Sequence, residues 1–303
     1  MVYPDFPIPK GYAWQYHFLV WLQSFHNTFF DAVAKILTQV GVEGFYLIAL
    51  PVLFWSVHRK IGIRLAYAFV GSMYVNAWLK DFLHILRPMG IPGIHSVFDP
   101  SATGFAMPSA HVQGTTTFWL MVQFWLRKLW LWPLVLVLLI GVGVSRLYSG
   151  VHWPLDVLVG WGIGLVFALA GWWLGGWWSY RQYAFRIRMA FAVLLPVVLL
   201  VLQRDAASAL YATVLLGVGV GAVLEQRWLD VDLDGVWWKR VSTAIIGIAC
   251  LIAVQWITKG LNLTPLRLVD IAEIRGLLIG LWTTLGAPYV FLLGGLYVKR
   301  ATD

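Results

Sequence analysis

The sequence contains few charged residues and only one cysteine, and both shortages exclude classes of protein. Charged residues make up 12% of the 303 residues, whereas hydrophobic residues make up 60% and the mean hydropathy is +0.76. Soluble domains usually contain about 25% charged and about 45–50% apolar residues, so this composition indicates an integral membrane protein. Because Cys250 is the only cysteine, a disulfide within the chain is excluded.

A signal-peptide pattern and an internal repeat are also missing. The first residues, MVYPDFPIPKGYAW, do not place a basic stretch before an apolar one, so we expect no cleaved signal peptide. No repeat with a period of roughly 20–50 residues is present, which argues against a solenoid. The net charge of +8 comes from basic residues in short connections between apolar runs, which indicates membrane orientation rather than nucleic-acid binding.

Nine apolar runs are candidates for membrane spans, because a helix of about 20 mainly apolar residues crosses a bilayer. We therefore expect an all-α polytopic membrane protein with about nine transmembrane helices. The runs cover residues 42–58, 62–85, 109–127, 129–148, 154–178, 187–203, 207–225, 241–258 and 274–298.

The chain divides into three parts by these patterns. Residues 1–41 mix aromatic residues with His17, His26, Asp31 and Lys35, which is typical of a helix lying in the membrane interface. We expect an interfacial segment over 1–41, a core helical bundle over 42–180, and about four additional transmembrane helices over 181–303.

The basic residues predict the orientation. With nine spans, thirteen of the 22 lysines and arginines lie on the side of the C-terminus, and three of the other nine are candidates for chemistry. The positive-inside rule then places the C-terminus in the cytoplasm and the N-terminus outside, together with residues 86–108 and 149–153. The compact loops favour a bacterial inner membrane, and an endoplasmic reticulum membrane is the alternative.

Two polar segments are predicted on the outer side. In LKDFLHILRP, Lys80 and Arg87 are seven residues apart, so we expect both on one face of a helix that Pro88 ends. In PSAH, Ser109 is the expected N-cap of the next helix, whose first-turn amides form an anion site.

A third polar segment, SRLYSGVHWPLD, lies on the same side. His152 and Asp156 are four residues apart, so the carboxylate can accept the Nδ1 proton and leave Nε2 as a nucleophile or base. Arg146 ends the preceding span and can meet the same pocket. For His84, contact with the residues of the site and exposure to water are equally compatible with its position. We expect His95, Asp99 and Tyr148 to face solvent, with contact to a headgroup as the alternative. We expect Asp270, Glu273 and Arg275 to cap the last span, with contact to a substrate as the alternative.

These segments together indicate phosphoryl transfer. Three cations, a serine and a helix N-terminus suit a compact, multiply charged anion such as phosphate. Two histidines, one of them backed by a carboxylate, supply a nucleophile and a proton donor. No cluster of acidic residues accompanies them, so we expect neither a metal ion nor another cofactor.

The three segments resemble the signature motifs of the type 2 phosphatidic acid phosphatase superfamily. Those motifs are Lys, six residues, Arg-Pro; Pro-Ser-Gly-His; and Ser-Arg, five residues, His, three residues, Asp. All spacings occur here in order, and Ala110 stands where the family usually has glycine. Because the expected contribution there is a backbone amide, alanine retains it. The resemblance covers roughly residues 40–180.

The resemblance implies a role for each matched residue. His152 would attack phosphorus and form a phosphohistidine, Asp156 would orient it, and His111 would protonate the leaving oxygen. The phosphoryl oxygens would be held by Lys80, Arg87, Ser109, Ala110 and Arg146. The family needs no metal. Its vanadium haloperoxidases bind vanadate in the same pocket but are soluble, which argues against that branch.

Three functions follow from these patterns. The first is hydrolysis of a lipid phosphate or diphosphate at the outer face, with the membrane-embedded lipid as partner and no nucleic acid. The second is hydrolysis of a soluble ester, because nine spans and an outward site are similar to glucose-6-phosphatase. The third is transport, which the clustering of charges at one side disfavours.

Glycine pairs four residues apart, such as Gly160 and Gly164, occur in three of the apolar runs. Pairs of this kind let helices approach closely in lipid. We expect them to pack helices within one chain, and a homodimer interface is the alternative.

Overall fold

The computed structural model describes residues 11–96, 102–203, 205–233, 235–260 and 271–300, and these are mainly helical. The helices are α1 (Ala13–Gln23), α2 (Thr28–Gly41), α3 (Glu43–Val52), α4 (Arg59–Leu83), α5 (Ala110–Leu126), α6 (Trp132–Tyr148), α7 (Pro154–Arg181), α8 (Phe185–Leu202), α9 (Ala206–Trp228), α10 (Trp237–Gly260), α11 (Ile271–Leu281) and α12 (Ala287–Leu293).

Short irregular turns extend three of these helices, and one small sheet is present. A π-helical turn follows α3 at Leu53–Val57, a second joins α11 to α12 at Trp282–Gly286, and a 3₁₀ turn at Leu129–Leu131 precedes α6. The strands β1 (Val231–Leu233) and β2 (Tyr297–Lys299) pair antiparallel, with Val231 opposite Lys299.

The chain is a polytopic helical membrane protein, and each of the nine apolar runs is mainly helical, although the last run also contains the first residues of β2. Six helical segments among the described residues are long and apolar enough to cross a membrane. A seventh results if α2 and the segment from Glu43 to Val57, bent by 48° at their junction, count as one span. Nine crossings therefore stay a prediction.

The N-terminal segment contains two helices, α1 and α2, separated by a short turn. Asn27 ends that turn as the N-cap of α2, because its side chain accepts a hydrogen bond from the Phe30 amide at 3.0 Å. The first ten residues of the predicted interfacial segment lie outside the described residues. Its interfacial position stays a prediction.

The chain forms two compact units. Unit 1 contains residues 1–45 and 75–170, and unit 2 contains residues 46–74 and 171–303. Leu19, Val112, Val142, Trp153 and Val157 belong to the apolar core of unit 1, which joins α1, α5, α6 and α7. All three polar segments lie in unit 1.

The glycine pair of α7 packs this helix against α5. A Cβ atom on Gly160 would lie 3.0 Å from the Ser109 carbonyl oxygen, and one on Gly164 would lie 2.7 Å from that of Gln113. Only glycine fits so close to a neighbouring backbone. This pair therefore packs helices within the chain, and a homodimer stays a prediction.

Candidate active site

The structure brings the three polar segments together in unit 1. They are the end of α4 with the loop after it, the start of α5, and the junction between α6 and α7. Six of the eight predicted site residues have buried side chains: Arg87, Ser109, His111, Arg146, His152 and Asp156. Lys80 is half-buried, within electrostatic range of Arg87, Arg146 and Asp156.

His152 and Asp156 form the predicted pair. The Nδ1 atom of His152 lies 3.2 Å from Oδ2 of Asp156, which also accepts a hydrogen bond from the Trp153 amide at 2.8 Å. Pro154 starts α7, so the histidine lies just before the helix and the aspartate lies in its first turn. The other carboxylate oxygen, Oδ1, is buried and has no hydrogen-bond partner among the described residues.

Arg87 defines which nitrogen of His152 carries the proton. Its Nη1 atom lies 3.0 Å from His152 Nε2 and donates to the Val151 carbonyl at 2.9 Å. A guanidinium can only donate, so Nε2 must be an acceptor and Nδ1 must carry the proton toward Asp156. Further bonds run from Nε to the Gly104 carbonyl at 3.1 Å and from Nη2 to that of Thr103 at 2.9 Å.

The position of Arg87 corrects one prediction. Lys80 and Arg87 do not share a helical face, because α4 ends at Leu83 and His84 has a left-handed backbone with φ of 51°. Arg87 belongs to the loop after the helix. Its guanidinium reaches the site because backbone carbonyls of that loop and of Val151 hold it, rather than because of helical periodicity.

Ser109 occupies the predicted N-cap position of α5, but its side chain makes no capping bond. The Oγ atom is instead buried and has no hydrogen-bond partner among the described residues. The Ser109 amide donates to the Asp156 carbonyl at 3.0 Å, which joins the second and third segments directly. Ala110 and His111 follow in the first turn, where helix amides lack intrahelical acceptors.

The electrostatic balance of this region is strongly positive. Three cations, Lys80, Arg87 and Arg146, surround one carboxylate, Asp156. Burial first, and then the nearby cations and His111, hold the pKa of the His152 imidazole well below its usual value. The ring is therefore neutral at neutral pH, and the region can accept a doubly charged anion.

Sequence reasoning missed several residues that support the site. Asn76, on α4, donates through Nδ2 to the Pro108 carbonyl at 3.2 Å and to Gln113 Oε1 at 2.8 Å. Gln15 and Gln23, on α1, contact the third segment. Their only sequence signal was a polar amide inside an apolar run, which by itself is also compatible with a lipid-facing or packing role.

One of the neighbouring residues follows its prediction and another does not. His95 is exposed, as expected, and His84 is also exposed, which agrees with the water-facing one of its two alternatives. Tyr148 is buried, so its expected solvent exposure is wrong, and its hydroxyl donates to Asp31 at 2.6 Å. Asp99 and Asp270 lie outside the described residues.

The His, Cys, Asp and Glu side chains determine whether a region could hold a metal ion. Within the described parts of the chain, no group of three or more His, Cys, Asp or Glu residues could hold a metal ion. Metal independence stays a prediction.

Two family models match the chain. The model of the PAP2 superfamily matches residues 61–181, which contain all three polar segments. The model described as PAP2 superfamily phosphatase, transmembrane extension, matches residues 209–300. The second match covers helices for which the sequence motifs carried no information.

Individual relatives match this chain over only part of their own length. An undecaprenyl-diphosphatase of Sulfolobus acidocaldarius is 35% identical over 106 residues, 35% of this chain and 51% of the relative. A probable sphingosine-1-phosphate phosphatase of Dictyostelium discoideum is 28% identical over 164 residues, 50% of this chain and 40% of the relative. The chain thus spans about half the length, or less, of these curated relatives.

Among solved structures, the crystal structure of Aquifex aeolicus LpxE is similar to this chain with a TM-score of 0.47 and 22% sequence identity. The match covers 56% of this chain and 98% of that one.

Proposed function

The chain belongs to the PAP2 superfamily, and we propose that it is a metal-independent membrane phosphatase that hydrolyses a lipid phosphate or diphosphate through a phosphohistidine. The observation that carries this proposal is the hydrogen-bonded series from Arg87 through His152 to Asp156. It keeps Nδ1 protonated and directs the Nε2 lone pair toward the cation that would hold the phosphate.

Substrate binding is the first step. The guanidinium groups of Arg87 and Arg146 and the ammonium group of Lys80 neutralise the phosphoryl oxygens, and the Ser109 hydroxyl and the Ala110 amide donate to them. Positioning and charge neutralisation are the main contributions that phosphoryl transfer needs from a protein. The buried, unpartnered Oγ of Ser109 gains its hydrogen-bond partner in this step.

Chemistry then proceeds in two displacements. The Nε2 lone pair of His152 forms a bond to phosphorus while the bond to the leaving oxygen breaks, and His111 transfers a proton to that oxygen. Asp156 stabilises the positive imidazole of the phosphohistidine. In the second displacement, water gives its proton to His111 and attacks phosphorus, the N–P bond breaks, and inorganic phosphate leaves.

A lipid is the favoured substrate because the candidate spans anchor the chain in a membrane, where apolar tails can remain while the headgroup is processed. The two relatives are named for undecaprenyl diphosphate and sphingosine 1-phosphate, which both join a phosphate group to a long apolar chain. The distribution of basic residues supports an outward-facing site with the C-terminus in the cytoplasm, and the compact loops favour a bacterial inner membrane.

The experiment that tests the activity measures phosphate release by the full-length protein in detergent with EDTA. The substrates are phosphatidate, phosphatidylglycerophosphate, sphingosine phosphate, undecaprenyl diphosphate and glucose 6-phosphate. His152→Ala is compared with His17→Ala, which changes an exposed histidine of α1. We expect release from a lipid, loss of at least about 10³-fold in His152→Ala, and full activity in His17→Ala.

Other outcomes would change the proposal. Undiminished release by folded His152→Ala would contradict the mechanism, and release from glucose 6-phosphate alone would favour a soluble ester as the substrate. Resistance to EDTA is also required, since loss of activity would contradict metal independence.

A second measurement tests the covalent intermediate. If every substrate passes through the same phosphohistidine, a small added alcohol captures a constant fraction of the phosphoryl group, whatever the leaving group was. Direct attack by water predicts a fraction that varies with the leaving group. The ratio of phosphorylated alcohol to free phosphate, measured for two lipid substrates, distinguishes the two mechanisms.

A further inference from the structure

Helix α1 has an unusual arrangement of side chains. Gln15, Leu19 and Gln23, each four residues apart, form its buried face, whereas Trp14 and Trp21 on the other side are more than half exposed. In a membrane protein the exposed aromatic side suits lipid or its interface. A buried amide usually finds hydrogen-bond partners within the protein, and both ends of the Gln23 amide do so, whereas Gln15 has a partner at Oε1 and none at Nε2 among the described residues.

Gln23 makes three hydrogen bonds in the interior of unit 1. Its Nε2 donates to the His95 carbonyl at 2.8 Å and to the Tyr148 carbonyl at 2.9 Å, and its Oε1 accepts from the His95 amide at 2.9 Å. One amide side chain therefore joins the loop after α4 to the last residue of α6.

The turn that leads to His152 packs directly on these groups. Gly150 has a φ of 64°, and a Cβ atom there would lie 2.7 Å from the His95 carbonyl oxygen and 2.9 Å from Gln23 Nε2. The next residue, Val151, supplies the carbonyl that accepts from Arg87, and His152 follows. Gln23 thus supports the backbone two residues before the proposed nucleophile.

Gln15 contacts the other end of the segment that contains His152, residues 148–155. Its Oε1 accepts from the Leu155 amide at 3.1 Å, next to Asp156. Between the two glutamines, Leu19 packs in the same apolar core as Trp153. The buried face of α1 therefore contacts the segment 148–155 at its start, near its middle and at its end.

We propose that α1 braces the catalytic segment and that Gln23 is a positioning residue for His152, an inference that rests on the proposed function. The brace lies outside the residues matched by the superfamily model, which begin at residue 61. It holds His152 Nε2 in position for in-line attack, while the phosphate-binding cations lie on α4 (Lys80), in the loop after it (Arg87) and in the last turn of α6 (Arg146), outside the residues 148–155 that α1 contacts.

Gln23→Met tests the brace, because it keeps a long unbranched side chain and removes all three hydrogen bonds. The matched control is Gln123→Met, which removes the bond from another buried glutamine of unit 1, whose Nε2 donates to the Lys128 carbonyl at 3.0 Å. Both variants are compared with wild type for kcat, for melting temperature, and for inhibition by orthovanadate and by inorganic phosphate.

The two inhibitors separate positioning from stability. Orthovanadate mimics the transition state and needs Nε2 in place, whereas phosphate needs mainly the cations. We expect Gln23→Met to lower kcat by about 10- to 100-fold and to weaken inhibition by vanadate by a similar factor. Phosphate inhibition should change by less than about threefold, and in Gln123→Met the ratio of the two inhibition constants should equal that of wild type.

An unchanged vanadate-to-phosphate ratio in folded, active Gln23→Met would overturn the brace while leaving the proposed function intact. Inactive wild-type protein would overturn the proposed function instead. If Gln23→Met does not fold, Gln15→Leu decides the question, because it removes a single bond at the other end of the segment. Gln15→Leu should raise the inhibition constant of vanadate relative to that of phosphate, as Gln23→Met does, but by a smaller factor. An unchanged ratio of the two constants would overturn the brace.

Discussion

Two charged clusters, one in each unit, differ in their balance of cations and carboxylates. In unit 1, the cations Lys80, Arg87 and Arg146 surround the carboxylate of Asp156. In unit 2, one cation, Arg59, lies 2.6 Å from one carboxylate oxygen of Glu225.

The unit 2 cluster is enclosed by its own neighbours. Glu225 accepts a further hydrogen bond from the Val231 amide at 3.3 Å. The Arg59 guanidinium lies 4.8 Å from the ring centroid of Phe54 and 5.5 Å from that of Tyr297. The Tyr297 hydroxyl in turn donates to the Trp55 carbonyl at 2.6 Å. These contacts join the start of α4, the end of α9 and the small sheet.

The charge balance of the two clusters suits different roles. The unbalanced cluster of unit 1 suits a site for an anionic ligand, whereas the balanced pair of unit 2 suits a structural contact. In unit 2 the two opposite charges balance each other, and breaking such a buried pair destabilises the fold. In unit 1 the excess of positive charge around Asp156, together with polar atoms of Ser109 and Asp156 that have no hydrogen-bond partner among the described residues, is costly unless a ligand completes it. Substitutions that neutralise one charge in each cluster therefore test the comparison directly.

The largest effect is expected from Asp156→Asn. The change keeps the volume of the side chain but removes the charge that stabilises the imidazolium and fixes its tautomer. We expect kcat to fall by about 10³- to 10⁴-fold, as for other histidine–aspartate pairs in catalysis. Phosphate release by the purified variant measures this, and its elution and melting profiles establish that it is folded. Activity within tenfold of wild type would contradict the role of Asp156.

A smaller effect is expected in the pH profile. The nucleophile must be neutral, and an ordinary histidine becomes protonated below about pH 6.5. Because burial and the nearby cations lower the pKa of His152, the ring should stay neutral below that pH, and kcat/KM should fall only in more acidic solution. Lys80→Met removes one of the cations, so the pKa should rise and the acid limb should move to higher pH.

The pH profiles of wild type and Lys80→Met are measured with the same lipid substrate. Titration of the substrate phosphate then affects both profiles equally and does not contribute to the difference between them. An acid limb that stays in place, or moves to lower pH, in Lys80→Met would contradict the electrostatic argument.

The smallest effect on turnover is expected from Glu225→Gln. Breaking this buried pair leaves the Arg59 charge uncompensated, so we expect a loss of about 3–5 kcal/mol in stability. Turnover per folded molecule should stay within about twofold of wild type, since the contacts of Glu225 with Arg59 and Val231 involve no residue of the proposed site. Thermal unfolding and activity are measured on the same preparation. Lost turnover at an unchanged melting temperature would show that the unit 2 cluster has a role in activity.

The residues of the proposed site could be predicted because the sequence groups them in three short segments with fixed spacing. The pairing of His152 with Asp156 followed from a separation of four residues at the start of a helix. Arg87 was placed on a helix although it lies in the loop after it, because the left-handed turn at His84 has no strong sequence signal. The burial of Tyr148 was missed because its partner, Asp31, is 117 residues away.

Composition and local spacing by themselves determined that the chain is a helical membrane protein with histidines, cations and one aspartate at one end of its spans. Those properties depend on residue type and on neighbours within a few positions, so they can be read along the chain. Only the tertiary structure decided that Arg87 contacts His152 Nε2, that Ser109 Oγ is buried without a hydrogen-bond partner among the described residues, and that Gln23 donates to the Tyr148 carbonyl. These contacts join residues far apart in sequence, and they depend on the close packing of helices that no local pattern encodes.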